Sequence, residues 1–250
     1  MSTKKTKKKP LAIPPDAVRV WRGYRSDAID QPTFFQRLGT VFIPSTVEMQ
    51  ILAGLDTYIP TVPCGMANKP TTTPDETAIL FWDSQDTYTN CFQVLACRTY
   101  TLTHGACYTP QSGAAFPVLF AGSLTAEQPV YLINKPADWM HGKVTHVVGG
   151  RPASVQPADF ANNVTAALKT IQTAAAVDGA ICCIGNDYVV YWVLNDRKNT
   201  AGTIAALCDW NYVVKPKNYT LKKGLWEKWP GMTVNPGNSF NMQFKRRWES

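Results

Sequence analysis

Three histidines, His104, His141 and His146, are the side chains of this 250-residue chain best suited to move protons near neutral pH. His104 follows a predicted helix and precedes Gly105, a position that favours either a functional role or a cap at the helix C-terminus. His141 precedes Gly142 in the connection between two predicted halves, where we expect no function. A neutral imidazole can also bind haem iron, so His104 and His146 are the candidate axial ligands if haem is bound.

His146 lies in a predicted strand, and period-2 alternation places it on the same face as Val144 and Val148. It is a candidate catalytic residue if that face looks into a pocket, and a hydrogen-bonded core histidine if it does not. The separation of His141 and His146 is odd, so one strand cannot present both on one face. The pair therefore gives no metal signature, and we predict no metal site.

Polar side chains within an aromatic strand form the second group of candidates. Arg22 and Tyr24 share one face of the first predicted strand, opposite Trp21 and Arg25. If this face lines a pocket, Arg22 would bind a substrate carboxylate or an oxyanion, and Tyr24 would be catalytic. If it faces outward, both side chains would be solvated.

Trp82 and Trp192, each in the third predicted strand of its half, are the further candidates for substrate binding. The motifs GxGxxG, GxxxxGK[ST], GxSxG and HExxH are absent from the sequence, which argues against nucleotide cofactors, α/β-hydrolases and zincins. The cofactor is therefore left open, with haem as the one that the histidines could hold.

The seven cysteines are odd in number and show no CxxC or CxxH spacing, so neither a disulfide framework nor a structural zinc site is predicted. No stretch approaches the roughly 20 apolar residues of a membrane span. The N-terminus has lysines but no apolar region behind them, so it does not resemble a secretory signal. We predict a cytoplasmic protein without a membrane partner.

The net charge of +7 belongs mostly to the N-terminus, where lysines at positions 4, 5, 7, 8 and 9 supply five charges and leave +2 for the rest. We predict a basic, disordered tail over residues 1–15. Nucleic-acid association through this tail is a weaker hypothesis, because no RNP-type motif, helix-turn-helix or zinc knuckle accompanies it.

These candidates must be positioned by two halves that repeat one order of elements, β-α-β-β-α-β, over residues 16–138 and 139–224. In the first half we predict strands at 18–24, 55–62, 77–82 and 129–134 and helices through 34–42 and 88–99. In the second half we predict strands at 143–148, 180–184, 188–194 and 212–221 and helices at 158–175 and 200–210. Residues 225–250 form an aromatic C-terminal strap that packs on the body or on a partner subunit.

Two spacings favour duplication followed by divergence. The motif QPxxF occurs at 31–35 and again 125 residues later at 156–160, and Trp82 precedes Trp192 by 110 residues. The difference of 15 is about the length of the 63–75 loop, which a tight turn at Gly185 replaces in the second half. Chance similarity between two common α+β units is the alternative.

The tandem β-α-β-β-α-β order resembles the dimeric α+β-barrel superfamily, in which two ferredoxin-like units place their antiparallel sheets face to face. The resemblance lies in topology across nearly the whole chain and in no specific motif. It implies aromatic-lined pockets between sheet and helices. It also implies an activity found in that superfamily, whose members include monooxygenases, haem enzymes, aldoxime dehydratases, lactone isomerases and polyketide cyclases.

We therefore expect a small-molecule enzyme, a monooxygenase, isomerase or dehydratase, that acts on an apolar or aromatic metabolite. In one variant of this hypothesis the enzyme depends on haem. The alternative is a non-enzymatic ligand-binding or assembly protein that forms a homo-oligomer. In that case the histidines would be dispensable.

Overall fold

The computed structural model describes residues 12–46, 53–139, 142–215, 220–221 and 234–243, so His141 and most of both termini lie outside it. The first half contains β1 (Val18–Gly23), α1 (Gln31–Arg37), β2 (Leu55–Val62), β3 (Glu76–Trp82), α2 (Gln85–Cys91), α3 (Leu95–Leu102) and β4 (Gly113–Ala115). Two short strands follow, β5 (Val118–Leu119) and β6 (Val130–Tyr131). The second half contains β7 (Val144–Gly150), α4 (Pro157–Thr173), β8 (Gly179–Ile184), β9 (Tyr188–Leu194), α5 (Thr200–Ala205) and β10 (Trp210–Val214), with β11 (Thr220–Leu221) and β12 (Asn238–Gln243) after it.

Local chemistry explains how the helices of the first half begin. The Asp30 carboxylate accepts a hydrogen bond from the Thr33 amide at 2.9 Å and caps α1, which a π-helical turn at Leu38–Phe42 extends. The Ser84 hydroxyl caps α2 in the same way. The predicted single helix over 88–99 is in fact two helices, α2 and α3, with a break between them.

The two sheets have the same strand order. The first reads β2-β3-β1-β4 and the second β8-β9-β7-β10, and every pair within these four-stranded cores is antiparallel. This is the ferredoxin-like order in each half, and it confirms the predicted α+β fold class of two such halves.

The β1–β3 and β7–β9 ladders also have equivalent registers. In the first ladder Val18 pairs with Phe81, and in the second Val144 pairs with Leu194. Val144 lies 126 residues after Val18, and Leu194 lies 113 residues after Phe81. All the other pairs of the β1–β3 ladder keep the same two offsets. Every residue pair of the β1–β3 ladder therefore has a counterpart at the same position of the β7–β9 ladder.

This register corrects both spacings seen in the sequence. The α1 and α4 caps, Asp30 and Gln156, are also 126 residues apart, so buried Phe34 rather than Phe35 corresponds to Phe160. Trp192 occupies the place of Ile79 and not that of Trp82. Trp82 packs toward the helices, whereas Trp192 packs between the sheets.

Each half also lends strands to the other half's sheet. β6 pairs with β8 at the edge of the second sheet, and β12 pairs with β2 at the edge of the first, while β5 and β11 run parallel to β6 and β12. The strand predicted at 129–134 is therefore observed as the short β6, but it is not the fourth strand of the first sheet. The fourth strand of the first half is β4, whose three small residues give no strand signal. The predicted strand at 212–221 is likewise split between the two sheets.

Alternating side chains divide the interior into three layers. One lies between the first sheet and its helices, a second lies between the second sheet and its helices, and the third fills the space between the sheets. Val20, Ile79, Phe81, Val148 and Val190 belong to the third layer and are fully buried. Within the described ranges, no helix has the length and apolar character needed to cross a bilayer.

Candidate functional site

A cavity of about 400 Å³ lies between the first sheet and helices α1 to α3. We call it the first-half cavity. Its walls combine aromatic side chains with polar and small ones, and include Arg19, Trp21, Phe42, Tyr58, Tyr88, Tyr100, His104 and Tyr108. This combination of volume and lining is typical of small-molecule sites. The position agrees with the expectation that pockets lie between sheet and helices.

Glu76 organises the sheet side of this cavity. Its carboxylate is fully buried and accepts hydrogen bonds from Trp21 Nε1 at 2.9 Å, from the Tyr58 hydroxyl at 2.7 Å and from the Tyr108 hydroxyl. Burial raises the pKa of Glu76, and the three donors oppose that rise. Glu76 does not line the cavity, but all three donors do, so this carboxylate fixes the orientation of three cavity walls.

His104 stands in the wall formed by α3 and the turn after it. Its Nδ1 lies 3.0 Å from the Thr101 carbonyl oxygen, which can only accept, so Nδ1 carries the proton and Nε2 carries a lone pair. The rings of Trp21, Phe42 and Tyr100 surround the imidazole edge-on, with centroids 5.0 to 5.2 Å away. Burial lowers the pKa of His104. His104 is therefore a neutral base in an aromatic wall.

Arg19 supplies the positive charge of the cavity. Its guanidinium carbon lies 3.8 Å from the centroid of the Tyr88 ring, and its Nη2 donates to the Ala114 carbonyl at 3.0 Å. The charge of Arg19 adds to the effect of burial on His104 and further lowers the pKa of that imidazole. Arg19 and His104 are therefore electrically coupled across the cavity.

One of the two thiols in the cavity, that of Cys91, is a poor nucleophile. Cys91 and Cys97 both line it, and burial raises the pKa of Cys91 to about 12. Since a thiolate is the reactive form of cysteine, Cys91 is inert near neutral pH. This leaves His104 as the group in the cavity that is best suited to accept a proton.

The second half does not repeat these polar groups. By the strand registers, Arg19, Trp21, Tyr58 and Glu76 correspond to Thr145, Val147, Ala180 and Val189. The last three belong to the buried apolar cluster beneath α4. The polar arrangement of the first-half cavity therefore belongs to one half of the molecule.

His146 lies elsewhere, in the layer between the sheets. Its Nδ1 donates to the Tyr191 carbonyl at 3.0 Å, so its Nε2 accepts from the Thr77 hydroxyl at 2.9 Å. The ring stacks on Trp192 with centroids 4.2 Å apart and planes 4° apart. Burial lowers the pKa of His146 to about 3. The predicted face, shared with Val144 and Val148, packs in the layer between the two sheets.

Arg22 and Tyr24 line a second cavity of about 930 Å³, whose other walls are mainly polar or charged. The buried Arg22 guanidinium already has a carboxylate partner, because its Nε donates to Glu127 Oε2 at 2.9 Å. The Tyr188 hydroxyl donates to the same oxygen at 2.7 Å. The structure therefore separates the predicted site residues. His104 lines the first-half cavity, Arg22 and Tyr24 line the second, and His146 lines neither.

The two predicted tryptophans are also divided. Trp82 is fully buried and packs edge-on against Tyr88, with centroids 5.1 Å apart, so it supports a cavity wall without lining it. Trp192 packs on His146 in the layer between the sheets. The indole nitrogens of both are buried without a hydrogen-bond partner in the described part of the chain.

Four residues of the site were not predicted from the sequence, namely Arg19, Tyr58, Glu76 and Tyr108. One signal was available, because Glu76 has the same strand parity as Ala78, Leu80 and Trp82 and begins an apolar run. A carboxylate at that position of a buried strand must find donors inside the fold.

The two histidines differ in their fit to haem. His146 does not fit, because both of its ring nitrogens are occupied and its side chain is enclosed between the sheets. His104 keeps an Nε2 lone pair, so it is the histidine left as an axial ligand. Among the described side chains, no three His, Cys, Asp or Glu gather as a metal site.

The sequence matches no protein-family model and no curated protein. The solved structures that match this chain include two named as putative monooxygenases. One, named "Putative monooxygenase" from Fusobacterium nucleatum subsp. nucleatum, is 9% identical with a TM-score of 0.33 and covers 82% of this chain and 92% of its own. The other, named "putative monooxygenase" from Lactobacillus acidophilus, is 7% identical with a TM-score of 0.33 and covers 80% of this chain and 93% of its own. Similarity at this level assigns neither a family nor an activity.

Proposed function

We propose that the protein is a small-molecule enzyme of the α+β-barrel type, with its active site in the first-half cavity and an apolar or aromatic substrate. The observation that carries this proposal is the convergence of a neutral histidine, a half-buried arginine and a carboxylate-anchored aromatic wall on one cavity. A fold alone hosts many chemistries, so the proposal rests on these groups.

His104 is the proposed proton-transfer residue. Its lone pair on Nε2 can accept a proton from an activated C–H or O–H group of a bound substrate. Oxygenation, isomerisation and dehydration of an aromatic or carbonyl compound can each begin with this step. Monooxygenase, isomerase and dehydratase therefore stay together as the proposed reaction class, and no step is assigned to haem.

The surrounding residues have positioning roles in this proposal. Trp21, Tyr58 and Tyr108 are held by Glu76 and give the substrate a rigid apolar surface. His146 is proposed as a structural link between β7 and β3 rather than a catalytic residue, because its ring nitrogens are both hydrogen-bonded.

Deuterium exchange tests the proposal. We expect the wild-type protein to accelerate exchange of the acidic C1 hydrogens of 2-tetralone in D2O above the buffer rate, measured by proton NMR. His104→Gln is expected to lower the catalysed rate by about 10²-fold or more. The matched variant His146→Gln, if folded, should keep the wild-type rate at neutral pH.

Three outcomes bear on the alternatives. Equal exchange by His104→Gln and wild type would contradict the assigned role. Binding of 2-tetralone without exchange would support the ligand-binding protein instead. An absorption spectrum of the protein purified from cells separates the haem variant, because a Soret band that disappears in His104→Gln would identify that histidine as the axial ligand.

Four further points stay proposals. The matched ladder offsets support duplication as the origin of the two halves. The cytoplasmic location and the homo-oligomer rest on the sequence, as does nucleic-acid association through the tail. Residues 1–11 of that tail lie outside the described chain.

A further inference from the structure

Arg19 is a half-buried cation without an anionic partner in the described part of the chain. Three other arginines pair there with carboxylates, namely Arg22 with Glu127, Arg151 with Asp187 and Arg197 with Asp178. Arg19 donates instead to the Ala114 carbonyl and interacts with the Tyr88 side chain, and its Nε is buried with no hydrogen-bond partner. The charge and at least one donor of Arg19 are therefore incompletely satisfied.

A buried carboxylate of the same sheet does not complete it. Glu76 lies on the same helix-facing side of the first sheet, but its three donors are Trp21, Tyr58 and Tyr108. The Tyr88 ring beneath the guanidinium offsets part of the desolvation cost through a cation–π contact. Such a contact leaves the in-plane N–H donors of an arginine free for an oxygen anion.

We propose that the first-half cavity selects a small aromatic molecule carrying an anionic oxygen, a carboxylate or an enolate, and that Arg19 binds this oxygen. The aromatic walls would pack the apolar remainder of the ligand, and His104 would face it from the opposing helix side. This inference names the substrate class of the site proposed above and rests on that proposal.

The chemistry of the two groups is complementary. Removal of a proton from a neutral carbonyl compound by His104 leaves an imidazolium and an enolate, and an arginine beside the enolate oxygen stabilises that charge. A carboxylate ligand presents the same anionic oxygen before any reaction. Arg19 would therefore act on either source of the anion.

The test compares two probes of equal shape, 1-naphthoate and 1-naphthamide, by isothermal titration calorimetry. We expect wild type to bind the carboxylate at least about tenfold more tightly than the amide, as for a hydrogen bond to a charged group. Arg19→Gln should lose this preference, and Arg19→Lys should keep part of it. Arg98→Gln removes one charge from the exposed face of α3, outside the cavity, and should leave both affinities unchanged.

Equal binding of the two probes to wild type would overturn the inference, and that comparison needs no variant to fold. Failure of both probes to bind would overturn it as well. The inference would also be overturned if a folded Arg19→Gln variant bound naphthoate as tightly as wild type. In each case the exchange of 2-tetralone reports separately on the proposed function. If the wild-type protein still catalyses exchange, the proposed enzyme function stands and only the inference about Arg19 is lost. If it does not, both proposals are contradicted.

Discussion

Glu76 and His146 show two ways in which this protein buries a titratable side chain. Glu76 is surrounded by three donors on the helix-facing side of β3, whereas His146 lies between the sheets with one donor and one acceptor. Burial raises the pKa of the carboxyl and lowers that of the imidazole, so in both cases it opposes charge. The first arrangement shapes a cavity and the second joins two sheets.

Removing one donor from Glu76 should be costly. We expect Tyr58→Phe to lower the free energy of unfolding by about 1.5 to 3 kcal/mol, measured by urea denaturation at neutral pH, because a buried carboxylate oxygen loses its partner. The loss should shrink in acid, where the carboxyl is protonated. Tyr131→Phe, at a partly exposed tyrosine, should change stability by less than about 0.5 kcal/mol. Equal effects of the two substitutions would contradict the network.

His146 should make the fold less stable in acid. The pKa of His146 is about 3 in the native protein and about 6.5 in an unfolded chain, so between these values the unfolded state binds a proton that the native state does not. Stability should therefore fall by about 1.4 kcal/mol per pH unit from this residue as the pH drops below 6.5. In His146→Gln, urea titrations from pH 7 to pH 4.5 should show a shallower dependence. An unchanged slope would be inconsistent with a buried neutral imidazole.

At this scale the sequence predicted some site residues and not others. His104 was expected either to function or to bond the end of its helix, and the structure shows a ring that bonds the Thr101 carbonyl and also lines the cavity. Arg19 and Glu76 escaped notice because both faces of β1 and β3 are buried. Alternation cannot then distinguish the cavity side from the side between the sheets.

At the level of elements, two equivalent glycines keep strands close to the side chains that cover them. Gly23 and Gly149 occupy the same register position. A Cβ atom on Gly23 would lie 2.6 Å from Tyr108 Cε1 and 2.9 Å from Trp21 Nε1, two of the groups around Glu76. The glycine therefore leaves room for the aromatic wall.

Gly23→Ala should consequently destabilise the protein by about 1 to 3 kcal/mol through overpacking, as measured by chemical denaturation. Gly113→Ala is the matched control on β4, where an added Cβ meets nothing within 4 Å. It should be neutral or stabilising by up to about 1 kcal/mol, because alanine reduces the entropy of the unfolded chain. If Gly23→Ala had the stability of wild type, the aromatic wall would be able to shift around the added Cβ, and the prediction would be contradicted.

Elements with strong local signals were predicted well. The helix at 158–175 is observed as α4, with Phe160, Val164, Leu168 and Ile171 buried on one face, and the hairpin around Gly185 joins β8 and β9. The short strands β4 and β5 were not predicted, since they depend on pairing with distant strands. Strands of about two or three residues are too short to show a periodic sequence pattern.

At the scale of the whole molecule, the exchange of β5–β6 and β11–β12 makes each sheet depend on both halves of the chain. The layer between the sheets also draws its side chains from both halves, as Thr77 and His146 show by their hydrogen bond. Such pairing between segments far apart in sequence carries no local signal. The sequence could therefore predict the two ferredoxin-like units but not their exchange of strands.

This shared construction should make unfolding cooperative. We expect a single calorimetric transition in which the van't Hoff and calorimetric enthalpies agree, because neither sheet keeps its edge or its inner face without the other. Ile79→Ala, in the layer between the sheets, should lower the midpoint of the whole transition rather than split it. Two separated transitions would contradict the account.

The central claim is that the first-half cavity is the site of chemistry, and the most direct measurement is 2-tetralone exchange in a variant whose cavity is blocked. Thr101 is exposed and lines the cavity, whereas Thr99 is exposed on the same helix and does not line it. Thr101→Trp should abolish the catalysed exchange and Thr99→Trp should retain it, with both variants folded by circular dichroism. Full exchange by Thr101→Trp would place the chemistry elsewhere and contradict the account.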